Sequence, residues 1–216
     1  MKVYLSPSDQ HGNLVADHEH SEADHCLLIA NACKEYLIRN GINVAVGDNT
    51  VQGTYKDRVN SSNSWNADLH VCIHTNAGGG EGTLMLAWPS SVNNAYVQAI
   101  YNNVAKLTPT KDRGVQGRND LYEIKHSKAV CAYLECEFHD SPDLENWIDD
   151  NVNAIGREIA RAIVTTSGGN FYEGDKVVQT SGLYRVQVGA FATYINAKNL
   201  AEKLEREGYD TYIKKS

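Results

Sequence analysis

Three short segments concentrate the side chains that could do chemistry. The Asp9-Gln10-His11-Gly12 turn precedes an acidic, histidine-rich run, His18-Glu19-His20-Ser21-Glu22-Ala23-Asp24-His25, and four of the eight histidines fall between positions 11 and 25. Ile73-His74-Thr75-Asn76-Ala77-Gly78 places a histidine at the end of an alternating apolar stretch, ahead of a glycine-rich loop. Leu134-Glu135-Cys136-Glu137-Phe138-His139 ends the most apolar stretch with two carboxylates. A buried carboxylate without a partner is costly, so a Glu in that position needs a cation or a proton to handle. Two histidines and a carboxylate are the ligand set of a catalytic zinc, which keeps a fourth position for water and lowers the pKa of that water to about 7. With a further Glu to move the proton, the chemistry is metal-assisted hydrolysis of an amide. The absence of H-E-x-x-H excludes the usual helical zinc-protease site. Blander readings stand beside this one: a solvated polar loop for 11–25, and a hydrogen-bonded structural role for His74.

The elements that must position these groups follow from periodicity. Lys2 to Leu5 reads as a strand. Ser21-Glu22-Ala23-Asp24 has the form of a capping box, and Cys26, Leu27, Ala30, Cys33 and Leu37 continue it as an amphipathic helix that stops at Gly41. Asn43 to Val46, Leu69 to Ile73 and Thr83 to Trp88 read as further strands. A helix over Val92 to Leu107 ends before Pro109, and Ala129 to Glu135 has the continuous apolar character of a strand buried on both faces. Ser141-Pro142 opens a long last helix carrying Leu144, Ile148, Val152, Ile155, Ile159 and Ile163 on one face. Alternating strands and helices predict an α/β fold with a mostly parallel mixed sheet flanked by helices. In such sheets ligands bind beyond the carboxyl ends of the strands, where all three segments lie.

Composition limits the rest. The chain has 216 residues, 42% hydrophobic and 22% charged, with only 4 Pro, which excludes disordered and collagen-like classes. A net charge of −7 argues against nucleic acid as a partner, and no apolar run is long enough for membrane insertion. Five cysteines without a C-x-x-C pair read as small buried hydrophobes and argue against a cysteine-rich zinc site.

Residues 165–181 read as a linker, rich in Gly, Ser and Thr. Beyond it, strand Leu183 to Val188, helix Asn196 to Glu207 and strand Asp210 to Lys214 form a small C-terminal βαβ unit, too short to bury a sufficient core alone. Its charge is +2, against −9 for the preceding body.

Taken together, Asn66-Ala67-Asp68-Leu69-His70-Val71-Cys72-Ile73-His74-Thr75-Asn76-Ala77, Arg113-Gly114-Val115 and Leu134-Glu135-Cys136-Glu137-Phe138 resemble the zinc-dependent N-acetylmuramoyl-L-alanine amidases of the type 3 family over residues 1–164. The resemblance implies zinc (Zn2+) as cofactor, held by His11, Glu22 and His74, with Glu135 as the catalytic acid/base and Asn76 and Glu137 at the substrate. His11 is chosen for its His-Gly context, with His18 and His20 as alternatives, because Ser6-Pro7-Ser8-Asp9-Gln10-His11-Gly12 matches the family's D-P-G-H-G poorly. Glu137 stands where the family usually has Gly. The implied reaction is hydrolysis of the amide between N-acetylmuramic acid and L-alanine in peptidoglycan; the alternatives are another zinc peptidase or deacetylase on the cell wall, or a non-catalytic wall-binding protein.

Residues 182–216 resemble half of a SPOR-type repeat. That resemblance implies peptidoglycan binding and, since a complete domain has two such halves, a homodimer. The segment Met1 to Pro7 lacks the apolar run of a secretory signal, so the expectation is synthesis in the cytosol and action on the wall after release, as a phage lysin or an autolysin.

Overall fold

The computed structural model describes residues 1–50, 52–174, 188–209 and 211–213. They divide into two compact units, residues 1–175 and 176–216. The first is built on a six-stranded sheet of β1 (Lys2–Pro7), β2 (Asn43–Val46), β3 (Leu69–Asn76), β4 (Leu84–Ala87), β5 (Gly114–Gly117) and β6 (Val130–Phe138), in the order β2-β1-β3-β6-β4-β5. All pairs are parallel except β4 with β6. This is the mostly parallel mixed sheet expected from the alternation of elements.

Period-two alternation gives the sheet two unlike faces. On one, Val3, Leu5, Val71, Ile73, Ala132 and Leu134 form a fully buried core with α1 (Glu22–Arg39), α3 (Ala95–Ala105) and α5 (Pro142–Thr166). Helix α1 opens with the capping box seen in the sequence: the Ser21 side chain accepts from the Asp24 backbone N–H, while Asp24 accepts from the Ser21 N–H. Helix α5 crosses α1 closely at Gly156, where a Cβ would meet Cys33 N at 2.7 Å and Ile29 O at 2.8 Å. The opposite face carries Cys72, Leu84, Leu86 and Cys131, packed against Ile124, and is covered by α2 (Tyr55–Trp65) and α4 (Tyr122–His126).

Helix α2 is absent from the sequence reading because its residues are almost all polar, with only Arg58, Val59 and Ser62 buried. It is held by a second capping box, Thr54 with Asp57. Strand β5 and α4, four and five residues long, carry too few apolar positions to show a period. The long helix runs through Thr166 into the segment read as linker, of which residues 165–174 are described.

In the second unit, α6 (Tyr194–Arg206) lies where the sequence predicts a helix. The expected strand at Leu183 to Val188 falls almost wholly outside the described residues, as do both ends of the one expected at Asp210 to Lys214; residues 211–213 are described and form no strand. Among the described residues, no helix is long and apolar enough to cross a membrane.

Candidate active site

The site forms at the carboxyl end of the central strands, where β3 delivers His74, β6 delivers Glu135 and the first turn of α1 delivers Glu22. Register fixes the first two: His74 is paired directly with Glu135 across the β3–β6 ladder, and a shift immediately follows, with Asn76 opposite Phe138. His74 Nδ1 lies 2.8 Å from Glu22 Oε1, and both residues are buried. The His74 ring stacks on Tyr133 at 4.4 Å between centroids.

Charges inside this enclosure perturb one another. Burial raises the Glu135 carboxyl, the nearby Glu22 charge adds to it, and the pKa reaches about 7 despite His74 and Arg113. For Glu22, burial pulls upward, but hydrogen bonding and charge from His74, with hydrogen bonds from Asn13 and Ser8, hold it below its ordinary value. Burial pulls His74 downward, yet Glu22 and Glu135 raise its pKa. The two carboxyls are thus pushed apart, Glu22 towards the ionised form and Glu135 towards the protonated one.

The first loop does not deliver the histidine that was expected. His11 Nε2 lies 2.5 Å from the Asn49 carbonyl, and among the described residues no metal-sized trio of His, Cys, Asp or Glu contains Glu22 and His74. His18 and His20 are exposed, and His20 pairs with Asp17. Besides Ser8, two amides of the loop reach Glu22: Gln10 Nε2 at 3.4 Å from Oε1 and Asn13 Nδ2 at 2.8 Å from Oε2. Neither amide carries a signal in the sequence beyond its place in the turn beside His11.

The loop is braced from below by Arg58, which is 1% exposed. Its Nε donates to Ser6 Oγ at 2.8 Å, and its guanidinium pairs with Asp9 at 3.2 Å and with Glu123 at 3.8 Å. Glu123 also accepts from Ser6 and contacts His70 Nε2 at 3.2 Å.

Glu137 requires a correction. Expected at the substrate, it is fully buried; Oε1 accepts from the Gly82 and Phe138 N–H groups at 2.6 and 3.0 Å, and Oε2 from Thr110 Oγ1 at 2.7 Å. It anchors the glycine-rich loop. Gly82 has φ +96° and a Cβ there would run into the Lys111 carbonyl, so only Gly suits the position. Asp140 secures the other end of that loop, accepting from Gly78 and Gly79 N–H, both at 2.7 Å. Asn76 lies at the rim, its side-chain oxygen accepting from Ala77 N–H.

Comparison with known proteins decides the family: residues 8–165 match the family model described as N-acetylmuramoyl-L-alanine amidase. The chain belongs to the N-acetylmuramoyl-L-alanine amidase family. Residues 180–216 match the SPOR domain. A relative of the amidase family, the sporulation-specific N-acetylmuramoyl-L-alanine amidase of Bacillus subtilis (strain 168), is 29% identical over 161 residues, 73% of this chain and 60% of the relative. Another, N-acetylmuramoyl-L-alanine amidase CwlM of Bacillus licheniformis, is 29% identical over 199 residues, 87% of this chain and 74% of the relative. The chain thus spans under two thirds of the first relative's length. Among solved amidase folds, the catalytic domain of CwlV from Bacillus (Paenibacillus) polymyxa var. colistinus superposes with a TM-score of 0.71 at 20% identity, covering 78% of this chain and 99% of that domain.

Proposed function

We propose that the protein hydrolyses the amide bond between N-acetylmuramic acid and L-alanine in peptidoglycan, with zinc as cofactor. The observation that carries this reading is the cluster of buried Glu22 and His74 with the partly buried Glu135 in a chain of the amidase family.

The residues fit a metal. Glu22 and His74 supply a carboxylate and an imidazole whose Oε1 and Nδ1 lie 2.8 Å apart, ligand types that suit zinc, and Glu135 Oε2, on the residue paired with His74 in the ladder, is buried without a hydrogen-bond partner. Glu22 and His74 would hold the ion, with Gln10 and Asn13 orienting the Glu22 carboxylate from behind. When bound, zinc supplies Lewis acidity that polarises a carbonyl and acidifies a water.

The remaining steps belong to the chain. With a pKa of about 7, Glu135 takes a proton from the attacking water and returns it to the leaving amine of L-alanine. The unpaired Glu135 Oε2 is the atom that carries it. Tyr133 stacks on the His74 ring and fixes its plane, and Asp140 and Glu137 latch the loop that follows β3.

The SPOR-like unit is the wall-binding part of the proposal, concentrating the enzyme on peptidoglycan, and a second copy of this half-repeat would complete a SPOR-type domain in a homodimer. The whole protein would act on the wall after release from the cell that makes it. Mass spectrometry of digested wall fragments tests the reaction. A new free amine on L-alanine without a new reducing sugar is the expected product; a free amine elsewhere in the stem peptide, or deacetylated sugar, would exclude the amidase reading.

A further inference from the structure

Behind the catalytic cluster, the same sheet face holds a second group of metal-ligating side chains that the mechanism leaves unused. His70 and Cys72 alternate with His74 on β3, and the ladder pairs His70 with Cys131 and Cys72 with Tyr133 on β6. One ring nitrogen of His70 and the sulfurs of Cys72 and Cys131 all lie within 4.8 Å of one another, and all three residues are buried.

Three observations point to a cation. The two sulfurs are 3.7 Å apart; two sulfurs on one tetrahedral zinc, each bonded at ~2.3 Å, sit about 3.8 Å apart. Two thiols in simple contact reach a similar distance, so the imidazole is the more telling group. His70 is 0% exposed, its Nε2 is held by Glu123, and its Nδ1 has no hydrogen-bond partner. This ring has one nitrogen on a carboxylate, one unpaired nitrogen and one nitrogen within 4.8 Å of both sulfurs, so it lies in reach of a cation held by the sulfurs, with Glu123 setting its orientation. Finally, Glu123 is itself tied to Arg58 and Ser6, so the far side of the ring is balanced in charge. Two thiolates with one divalent cation are likewise neutral, which makes the cluster compatible with burial.

We propose that His70, Cys72 and Cys131 form a second, structural metal site for a thiophilic divalent cation such as zinc, which pins β3 to β6 one side-chain layer below His74 and Glu135. Cys131 also lines a surface pocket with Trp88, Ile124, Lys125 and Lys128. All five cysteines are free and buried, as expected of small hydrophobes, and the proposal gives two of them a further role.

Cobalt distinguishes the two sites, because only a site with thiolates gives an intense sulfur-to-cobalt charge-transfer band in the near ultraviolet. The full chain, grown in zinc-depleted medium with cobalt, should show that band. His74→Ala and the remote Cys33→Ser should keep it, and Cys72→Ser and Cys131→Ser should lose it. A folded wild-type protein without the band would overturn the proposal, as would a band persisting in both Cys72→Ser and Cys131→Ser. Should those two variants fail to fold, metal content in zinc-grown protein remains decisive: two ions per chain in the wild type falling to one in His74→Ala is expected, and one or none in the wild type would overturn the site.

Discussion

His74 Nδ1 and Glu22 Oε1 meet at 2.8 Å, joining the carboxyl end of β3 to the amino end of α1. Glu22 is the first residue of α1, where the helix dipole favours negative charge, so the contact sets a stabilised carboxylate against an imidazole whose pKa is raised. Removal of the imidazole in His74→Ala should drop catalytic zinc well below one ion per chain and abolish wall clearing. Circular dichroism should remain native, since the apolar core lies on the opposite face of the sheet. Metal analysis with a turbidity assay reads both effects.

Gln10→Ala should weaken zinc binding more than His11→Ala. Gln10 touches the Glu22 carboxylate, whereas His11 is engaged with Asn49. Loss of an outer hydrogen-bond partner to a metal ligand typically lowers affinity by roughly 10- to 100-fold. Competition with a chromogenic chelator measures it, and an equal loss in His11→Ala would return His11 to the site.

Glu135→Gln should keep zinc near the wild-type level while activity falls by about 10²-fold or more, the scale of a lost general acid/base. A second effect appears in the metal-free protein. With the Glu135 carboxyl raised from 4.5 to about 7, the folded state holds a proton that the unfolded chain has already released, so this residue's contribution to stability is lost as pH rises through about 7. Glu135→Gln removes that loss. Its Tm advantage over the wild type should be small near about pH 4 and grow towards about pH 8, as read by thermal denaturation in chelator.

Glu137→Ala should act on stability first. The change strands two backbone N–H groups and the Thr110 hydroxyl in a buried place, at a cost of about 2–4 kcal/mol. Urea denaturation measures it. A KM effect with unchanged stability would instead restore the expected substrate contact.

A chain ending after Glu173 should hydrolyse a soluble muramyl-peptide within a few-fold of the full-length rate but sediment less with intact walls. Residues 1–175 form a compact unit of their own, and the described residues beyond it include no His or Cys that could complete the zinc site. Equal wall binding by the two proteins would remove the targeting role.

The parts of this fold legible in the sequence are those whose burial leaves a period. Helix α1 shows both its cap and its apolar stripe, and β3 shows the alternation that sends His70, Cys72 and His74 to one side. Helix α2 leaves no such trace, because it contributes one buried arginine to a polar network and little apolar area. At the site, Glu22, His74 and Glu135 were readable, since a cap, a strand end and an out-of-place carboxylate each mark their position. Gln10 and Asn13 were not: an amide that orients a carboxylate has no spacing of its own. Cys131 likewise joins His70 and Cys72 only through the β3–β6 register, 59 residues along the chain from Cys72.

The unlike faces of the sheet have a consequence for how the chain can misfold. A slip of one residue in β3 would turn Val71 and Ile73 towards Arg58 and Glu123, and His70, Cys72 and His74 into the apolar layer beneath α1 and α5. Both sides would lose at once, since charged groups would face hydrocarbon and hydrocarbon would face charge. Pairing errors in the central strands are therefore penalised twice, and the polar residues that serve the chemistry also proofread the alignment of the strands that carry them.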